Sequence, residues 1–596
     1  MRLTLIAAAV ALALAACNRA PEPAPDAVAS ATDTAAPAPA PTAASYGDHG
    51  FGPEISAEDF AQHVKVLASD EFGGRAPGTD GEQKTADYLV AQFQRLGLQP
   101  GNGDSWFQDV AMVETTADES ASSASITVGG TEETLAFGTD TVFGTRTAKA
   151  DVAVDDSELV FVGYGVVAPE AGWNDYAGLD VKGKTVVILV NDPGFHAGDA
   201  SLFDGKKMTY YGRWTYKYEE AARQGAAAAL IVHDDAGAGY GWDVVKNSWS
   251  GAQFDLPASA DPEPRLPLQG WISADYATKL FAAAGQDFAA LRDAAGKKGF
   301  TAVDLGDATF SATLKSTISE KSSRNILAKL PGTERPDEAI VYTAHWDHLG
   351  DHSAAHGGGD HADGDAATTE AEDHIYNGAI DNATGVAGVL EIAEAFTVQE
   401  PKPARSIVFL MVTLEESGLL GSKYYAANPV IPLKDTVAVV NLDAMSVVGP
   451  TKDFVVIGLG NSELDDVLRP IAEKQGRVLV EEDGVEKGYF FRSDHFSFAK
   501  YGVPALYAKG GIDHREKGAT FGREVQGDYT NVRYHKAADE FDAAWDLRGV
   551  VEDLQALYGV GRELAGGDAW PNYVEGNAFR AARDASRAEA ANTPAQ

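Results

Sequence analysis

From Ser323 onward, short apolar runs of β type alternate with stretches whose apolar residues recur at helical spacing, and this alternation limits the fold more than any other feature of the chain. Residues 339–344, 406–413, 437–441 and 454–458 read as strands, whereas 384–396 and 462–476 read as helices. Strands this continuously apolar need cover on both faces. The expected fold class is therefore α/β, a mixed, mostly parallel sheet sandwiched by helices. Open sheets of this kind carry their sites beyond the carboxyl ends of the strands, which is where the acids and histidines of interest fall.

At 596 residues the chain is too long for one ordinary core, so it should divide. Upstream, residues 55–67 and 81–98 read as helices around a polar, turn-rich loop, 68–79. Near Leu159 the texture changes to short β runs, 159–165 and 185–190, followed by a helical stretch at 218–225 and another apolar run at 226–232. Gly163-Tyr164-Gly165, Asp175-Tyr176, Val181-Lys182-Gly183-Lys184 and the run Glu219 to Ala228 make this segment resemble a protease-associated domain. That implies a β-rich insert at 150–310 inside a main domain formed by 48–149 and 311–570. Residues 571–596 form an Ala- and Arg-rich tail without assigned function.

The N-terminus carries Arg2, an apolar run and then Leu14-Ala15-Ala16-Cys17, which resembles a bacterial lipobox. The expectation is a lipoprotein signal over 1–17, export, and a lipid anchor at Cys17 in the periplasm or at the outer membrane of a bacterium. Cys17 is the one cysteine of the chain, so the fold must hold without an internal disulfide. Residues 18–47, rich in Ala and Pro, cannot bury a core and should be a disordered tether. With 48 Lys+Arg against 88 Asp+Glu, net −40, no nucleic-acid partner is expected. The sequence leaves the oligomeric state open.

Five short segments place metal-type ligands at strand ends or in Gly-rich turns. They are Thr343-Ala344-His345-Trp346-Asp347-His348, Gly378-Ala379-Ile380-Asp381-Asn382, Leu414-Glu415-Glu416-Ser417, Asn441-Leu442-Asp443 and Arg533-Tyr534-His535. Imidazole and carboxylate suit zinc, and an Asp two residues beyond a His can orient it. Adjacent glutamates ending an apolar strand repel unless cations or protons offset them. A metal site resolves the pair, because one Glu ligates while the other takes a proton from water.

Together these segments, with Ser493-Asp494-His495 and Gly502-Val503-Pro504, resemble the co-catalytic dizinc exopeptidases, which include secreted bacterial aminopeptidases and, more distantly, glutamate carboxypeptidase II. The resemblance implies two zinc ions per chain, with Asp381 bridging them. His345 and Asp443 would complete one site, and Glu416 and His535 the other. It further implies Glu415 as general base, Asp347 as the partner of His345, Tyr534 as a donor to the developing oxyanion and Arg492 as a substrate contact. The expected activity is removal of N-terminal residues from peptides, by attack of a metal-bridging water. A carboxypeptidase or dipeptidase on the same scaffold is the alternative, and a non-catalytic binding protein the remote one. Between His348 and Asp381 lies an insertion, 351–374, containing His352, His356, His361 and His374; it reads as a solvated loop near the site mouth.

Overall fold

The computed structural model describes residues 49–352 and 373–592, so Cys17, the expected tether and residues 353–372 of the insertion lie outside the described residues. Helix α1 (Ala57–Leu67) begins at Ser56, whose side chain accepts a hydrogen bond from Asp59 N, with Glu58 and Asp59 in the first turn. It buries Phe60, Val64 and Leu67 at helical spacing. Helix α2 (Asp80–Arg95) is capped by Thr79. The turn between them passes through Gly74 at φ 63°. A Cβ there would sit 2.6 Å from the Tyr376 carbonyl oxygen and 2.7 Å from that of Gly350, so only glycine lets the turn press against those segments.

Strand β1 (Phe107–Ala117) follows, and then the chain builds a second sheet. This sheet comprises β2 (Ser123–Val128), β3 (Asp151–Phe161), β4 (Thr185–Leu189), helix α3 (Trp214–Arg223), β5 (Ala228–Val232) and β6 (Leu268–Ile272). Strands β3, β4, β5 and β6 pair in parallel in that order. Both faces are buried: Phe161, Val187 and Leu230 pack on one side, and Val160, Val186 and Ile231 on the other.

Strand β7 (Val303–Leu330), 28 residues long, joins the two sheets. Its first half lies between β2 and β3, and its second half pairs with β1 over residues 316–326 and then with the central strands over residues 326–330. Those central strands are β8 (Arg335–His345), β9 (Arg405–Val412), β10 (Thr436–Asn441) and β11 (Ala505–Gly510). They run parallel in the spatial order β9-β8-β10-β11, with β7 antiparallel to β9. Helices α2, α4 (Thr384–Val398), α5 (Leu464–Lys474) and α6 (Arg548–Gly566) cover one face through Phe93, Val389, Leu468 and Leu557 packed near Tyr342 and Phe409. On the other face Val341, Leu410, Tyr425 and Phe498 form a separate cluster. The sheet is mixed and largely parallel with helices on both sides, as its uninterrupted apolar runs imply. Each fully buried Leu or Phe contributes about 1.5–3 kcal/mol.

The tail adds α7 (Arg580–Asn592), anchored by buried Arg583, which donates to the Thr436 and Val437 carbonyls. No helix among the described residues is long and apolar enough to cross a membrane.

Candidate metal centre

Parallel pairing brings three strand ends to one edge. His345 closes β8 opposite Val412, the last residue of β9, so Glu415 and Glu416 emerge beside it. Asn441 closes β10 opposite Thr343, placing Asp443 on the same edge. Asp381 stands in the turn that opens α4, and His535 follows the turn Tyr529–Arg533. Three non-glycine residues flanking these groups are left-handed: Leu414 (φ 57°), Ala444 (φ 45°) and His535 itself (φ 56°). Backbone in this region is strained and persists where surrounding packing enforces it.

The five expected ligands converge. His345 Nε2 lies 3.3 Å from Asp381 Oδ1 and 3.6 Å from Asp443 Oδ1. His535 Nε2 lies 3.5 Å from Asp381 Oδ2 and 3.1 Å from Glu416 Oε2. Asp381 thus turns one oxygen toward each histidine. Ligand-type atoms of His345, Asp381 and Glu416, and separately of His345, Glu415 and Asp443, lie within 4.8 Å of one another.

The charge balance of the pocket calls for a cation. Burial alone would lower the His535 imidazole, yet Glu416 and Asp381 raise it to about 11. Burial raises the Asp347 carboxyl to about 7, and burial, with Glu416, Asp494 and Asp443 nearby, lifts Glu415 well above the ordinary carboxylate range. Two imidazoles facing three carboxylates, in a pocket that favours added positive charge, fit divalent zinc.

The remaining expected residues take distinct positions. The Asp347 carboxylate accepts from Glu415 N at 3.3 Å and stands 3.9 Å from His345 Nδ1, whereas its backbone oxygen is the atom within hydrogen-bond reach of that nitrogen, at 3.2 Å. Tyr534 stacks on the His535 ring, centroids 3.9 Å apart, and the residue as a whole is 46% exposed. Arg492 lies next to Ser493 and 5.4 Å from the Tyr489 ring.

Several partners escaped the sequence reading. His348 Nδ1 lies 2.6 Å from Glu416 Oε1 and fixes that carboxylate. Ser493 Oγ donates to Asp443 Oδ2 at 2.5 Å. Lys509 Nζ donates to the Asp443 and Ala444 carbonyls. Asp539 accepts from the backbone N–H groups of Ile380 and Asp381. From the loop before α2, buried Arg75 donates to the carbonyls of Leu67, Trp346, Asn377 and Gly378, tying the His345 and Asp381 segments together. His348 and Ser493 stand inside recognisable motifs and were findable there. Nothing in the local sequence marks Arg75 as buried.

Residues 325–558 match the model of peptidase family M28. Among solved structures, an aminopeptidase from Aneurinibacillus sp. strain AM-1 is 20% identical, with 86% of this chain and 94% of that chain covered and a TM-score of 0.43. BSAP, a zinc aminopeptidase from Bacillus subtilis, is 18% identical, with 88% of this chain and 100% of that chain covered and a TM-score of 0.37. A peptidase M28 precursor from Shewanella amazonensis is 17% identical, with coverage of 86% and 96% and a TM-score of 0.35.

Proposed function

Starting from a chain whose residues 325–558 form a peptidase family M28 domain, we propose that it is a dizinc aminopeptidase that removes N-terminal residues from peptides. The observation carrying this reading is the convergence of His345, Asp381, Glu416, Asp443 and His535 with Glu415 beside them. Bound zinc would polarise the scissile carbonyl and lower the pKa of the attacking water. His345, Asp381 and Asp443 would hold one ion, and Asp381, Glu416 and His535 the other.

The protein's own groups do the rest. Glu415, whose backbone N–H is held by Asp347, takes the proton of the attacking water and returns it to the leaving amine. The phenol of half-exposed Tyr534 donates to the oxygen that gains charge at the scissile carbon. His348 and Ser493 keep Glu416 and Asp443 in place, so that the ligands need not reorganise on binding.

Metal analysis checks the first part, with about two zinc equivalents per chain expected and a value near zero contrary to the reading. Peptides blocked at one terminus check the second. Loss of cleavage on N-acetylation supports the aminopeptidase, and dependence on a free carboxylate with indifference to N-acetylation replaces it by a carboxypeptidase.

The same proposal extends to placement. Leu14-Ala15-Ala16-Cys17 supports export and a lipid anchor at Cys17, with the catalytic body held in the periplasm or at the outer membrane. The motifs at 163–165 and 219–228 support a protease-associated insert over 150–310. Membrane fractionation of Cys17→Ser tests the anchor: the variant should be released to the soluble fraction, and retention would remove it.

A further inference from the structure

The segments on either side of β4, the chain between β10 and β11, and the stretch just ahead of α7 enclose a cavity of about 220 Å³. None of the metal-centre ligands lines it. Its walls are aromatic: Phe203, Tyr210 and Tyr211 come from the first part, Phe490 and Phe491 from the second, and Phe579 from the third. The Tyr210 ring centre lies 5.6 Å from that of Phe579 and 6.4 Å from that of Phe491, and Phe490 stacks on Phe579 at 6.3 Å. Tyr211, Phe490, Phe491 and Phe579 are buried, while Glu170, Ser201 and Asp204 at the rim are exposed, so the cavity has a mouth.

One carboxylate inside it is unmatched. Glu482, only 8% exposed, accepts from Gly458 N at 3.0 Å through Oε2, and both residues line the cavity. Its other oxygen, Oε1, has no hydrogen-bond or ion-pair partner among the described residues. Lys207, the one base among the described lining residues, is engaged elsewhere, donating to the Leu459 carbonyl at 3.0 Å and to Glu481 Oε1 at 3.1 Å. Glu170 and Asp204 add two more acids at the rim, and Glu170 accepts from the Tyr211 hydroxyl at 2.6 Å. A buried carboxylate left unpaired is costly, and a cation relieves that cost. Aromatic ring faces, which carry the negative part of the ring quadrupole, attract the same charge. Size then sets the class of ligand. Sites for drug-sized molecules run to roughly 300–1,000 Å³, so this cavity takes something smaller, on the scale of a single amino acid or its amine.

We propose that the cavity binds a small organic cation, a primary ammonium or guanidinium on a compact body, with its charge on Glu482 and its body among the rings of Tyr210, Phe490 and Phe579. It is a ligand site separate from the metal centre, and it is complete only where the β2–β6 sheet, the catalytic sheet and the tail meet.

Titration calorimetry on the full-length protein tests it, with benzylamine and agmatine as the cations and benzyl alcohol and benzoate as uncharged and anionic counterparts. At least one cation should bind the wild type with a Kd of about 1 mM or tighter, and both counterparts should bind about tenfold or more weakly than that cation. Glu482→Gln should weaken the cation by about tenfold or more. Phe579→Leu, which keeps an apolar wall but removes a ring face, should weaken it by about threefold or more. Thermal melting confirms that each variant is folded. Failure of both cations to bind would overturn the site, as would a counterpart that binds equally well. An affinity unchanged in Glu482→Gln would place the amine elsewhere and overturn it too, and Phe579→Leu carries the same decision if Glu482→Gln does not fold.

Discussion

Glu415 and Glu416 are neighbours in sequence but do different work in space. Glu416 is held by His348 and faces His535, whereas Glu415 is left free to exchange a proton. Glu415→Gln should therefore keep its zinc and lose turnover by about a thousandfold or more, because general-base assistance and the charge at that atom vanish together. Stopped assays paired with metal analysis measure both, and a variant that retains activity would remove Glu415 as base. His348→Ala removes no expected ligand but frees the Glu416 carboxylate. Losing such a supporting hydrogen bond costs roughly 10–100-fold in zinc affinity, which competition against a chromogenic chelator reads directly. Unchanged affinity would show that Glu416 is positioned by its backbone alone.

Among the elements, the loop Asp70–Arg75 acts as a clasp. Arg75 hydrogen-bonds four carbonyls drawn from α1, the segment after β8 and the turn before α4. Arg75→Ala would strand those carbonyls, costing on the order of 3 kcal/mol, and should weaken zinc binding through the loosened His345 and Asp381 segments. Arg75→Lys should not restore it, since one ammonium cannot span three segments. Urea unfolding and zinc titration on the same samples separate the two effects. A second joint, between α1 and α4, carries a pH signature. Glu391 accepts from Ser56 N at 2.8 Å, and burial raises its carboxyl to about 8. His63, 3.9 Å away, is lowered well below its usual value, first by burial and then by the charge of Arg95. Below about pH 6.5 the extra proton that folded Glu391 holds and the proton that folded His63 is denied act on stability in opposite directions. From pH 6.5 to 8 only Glu391 differs, its unfolded form being ionised, and stability falls as pH rises by about 2 kcal/mol. Glu391→Gln should shrink the loss between pH 6.5 and 8 in urea titrations by that amount, and equal losses in both proteins would refute the assignment.

These joints mark where the sequence stops being readable. The runs that became β8, β9 and β10, and the period that became α4, are dictated by local pattern, so the edge bearing His345, Glu416 and Asp443 was legible in advance. The Glu415–Glu416 pair was legible because its charge has no cheap local resolution. Arg75 and Lys509 were not, because a solvated and a buried cation look alike until tertiary contacts decide. Strand β7 was missed for a related reason: its alternation spans 28 residues and serves two different cores, which no window fitted to a single strand detects.

For the molecule as a whole, the proposed zinc ligands stand at the end of β8, just after β9 and β10, in the turn before α4 and ahead of α6, so bound metal would stabilise the fold. Free zinc at a hundred times its dissociation constant would add about 2.7 kcal/mol per site. Chelation should lower the thermal midpoint, and graded zinc should restore it along that logarithmic law. A midpoint indifferent to zinc would disconnect the centre from the fold. Strand β7 also sets a timetable for synthesis. β1 reaches the ribosome exit more than 200 residues before its partner Ile326, and Phe107 pairs with that residue only once the whole second sheet has emerged. The inserted sheet can close on itself first, while α1, α2 and β1 wait with apolar faces uncovered. The nascent chain is thus most vulnerable in its earliest-made part, and a chaperone that shields residues 49–117 would decide how much enzyme is made.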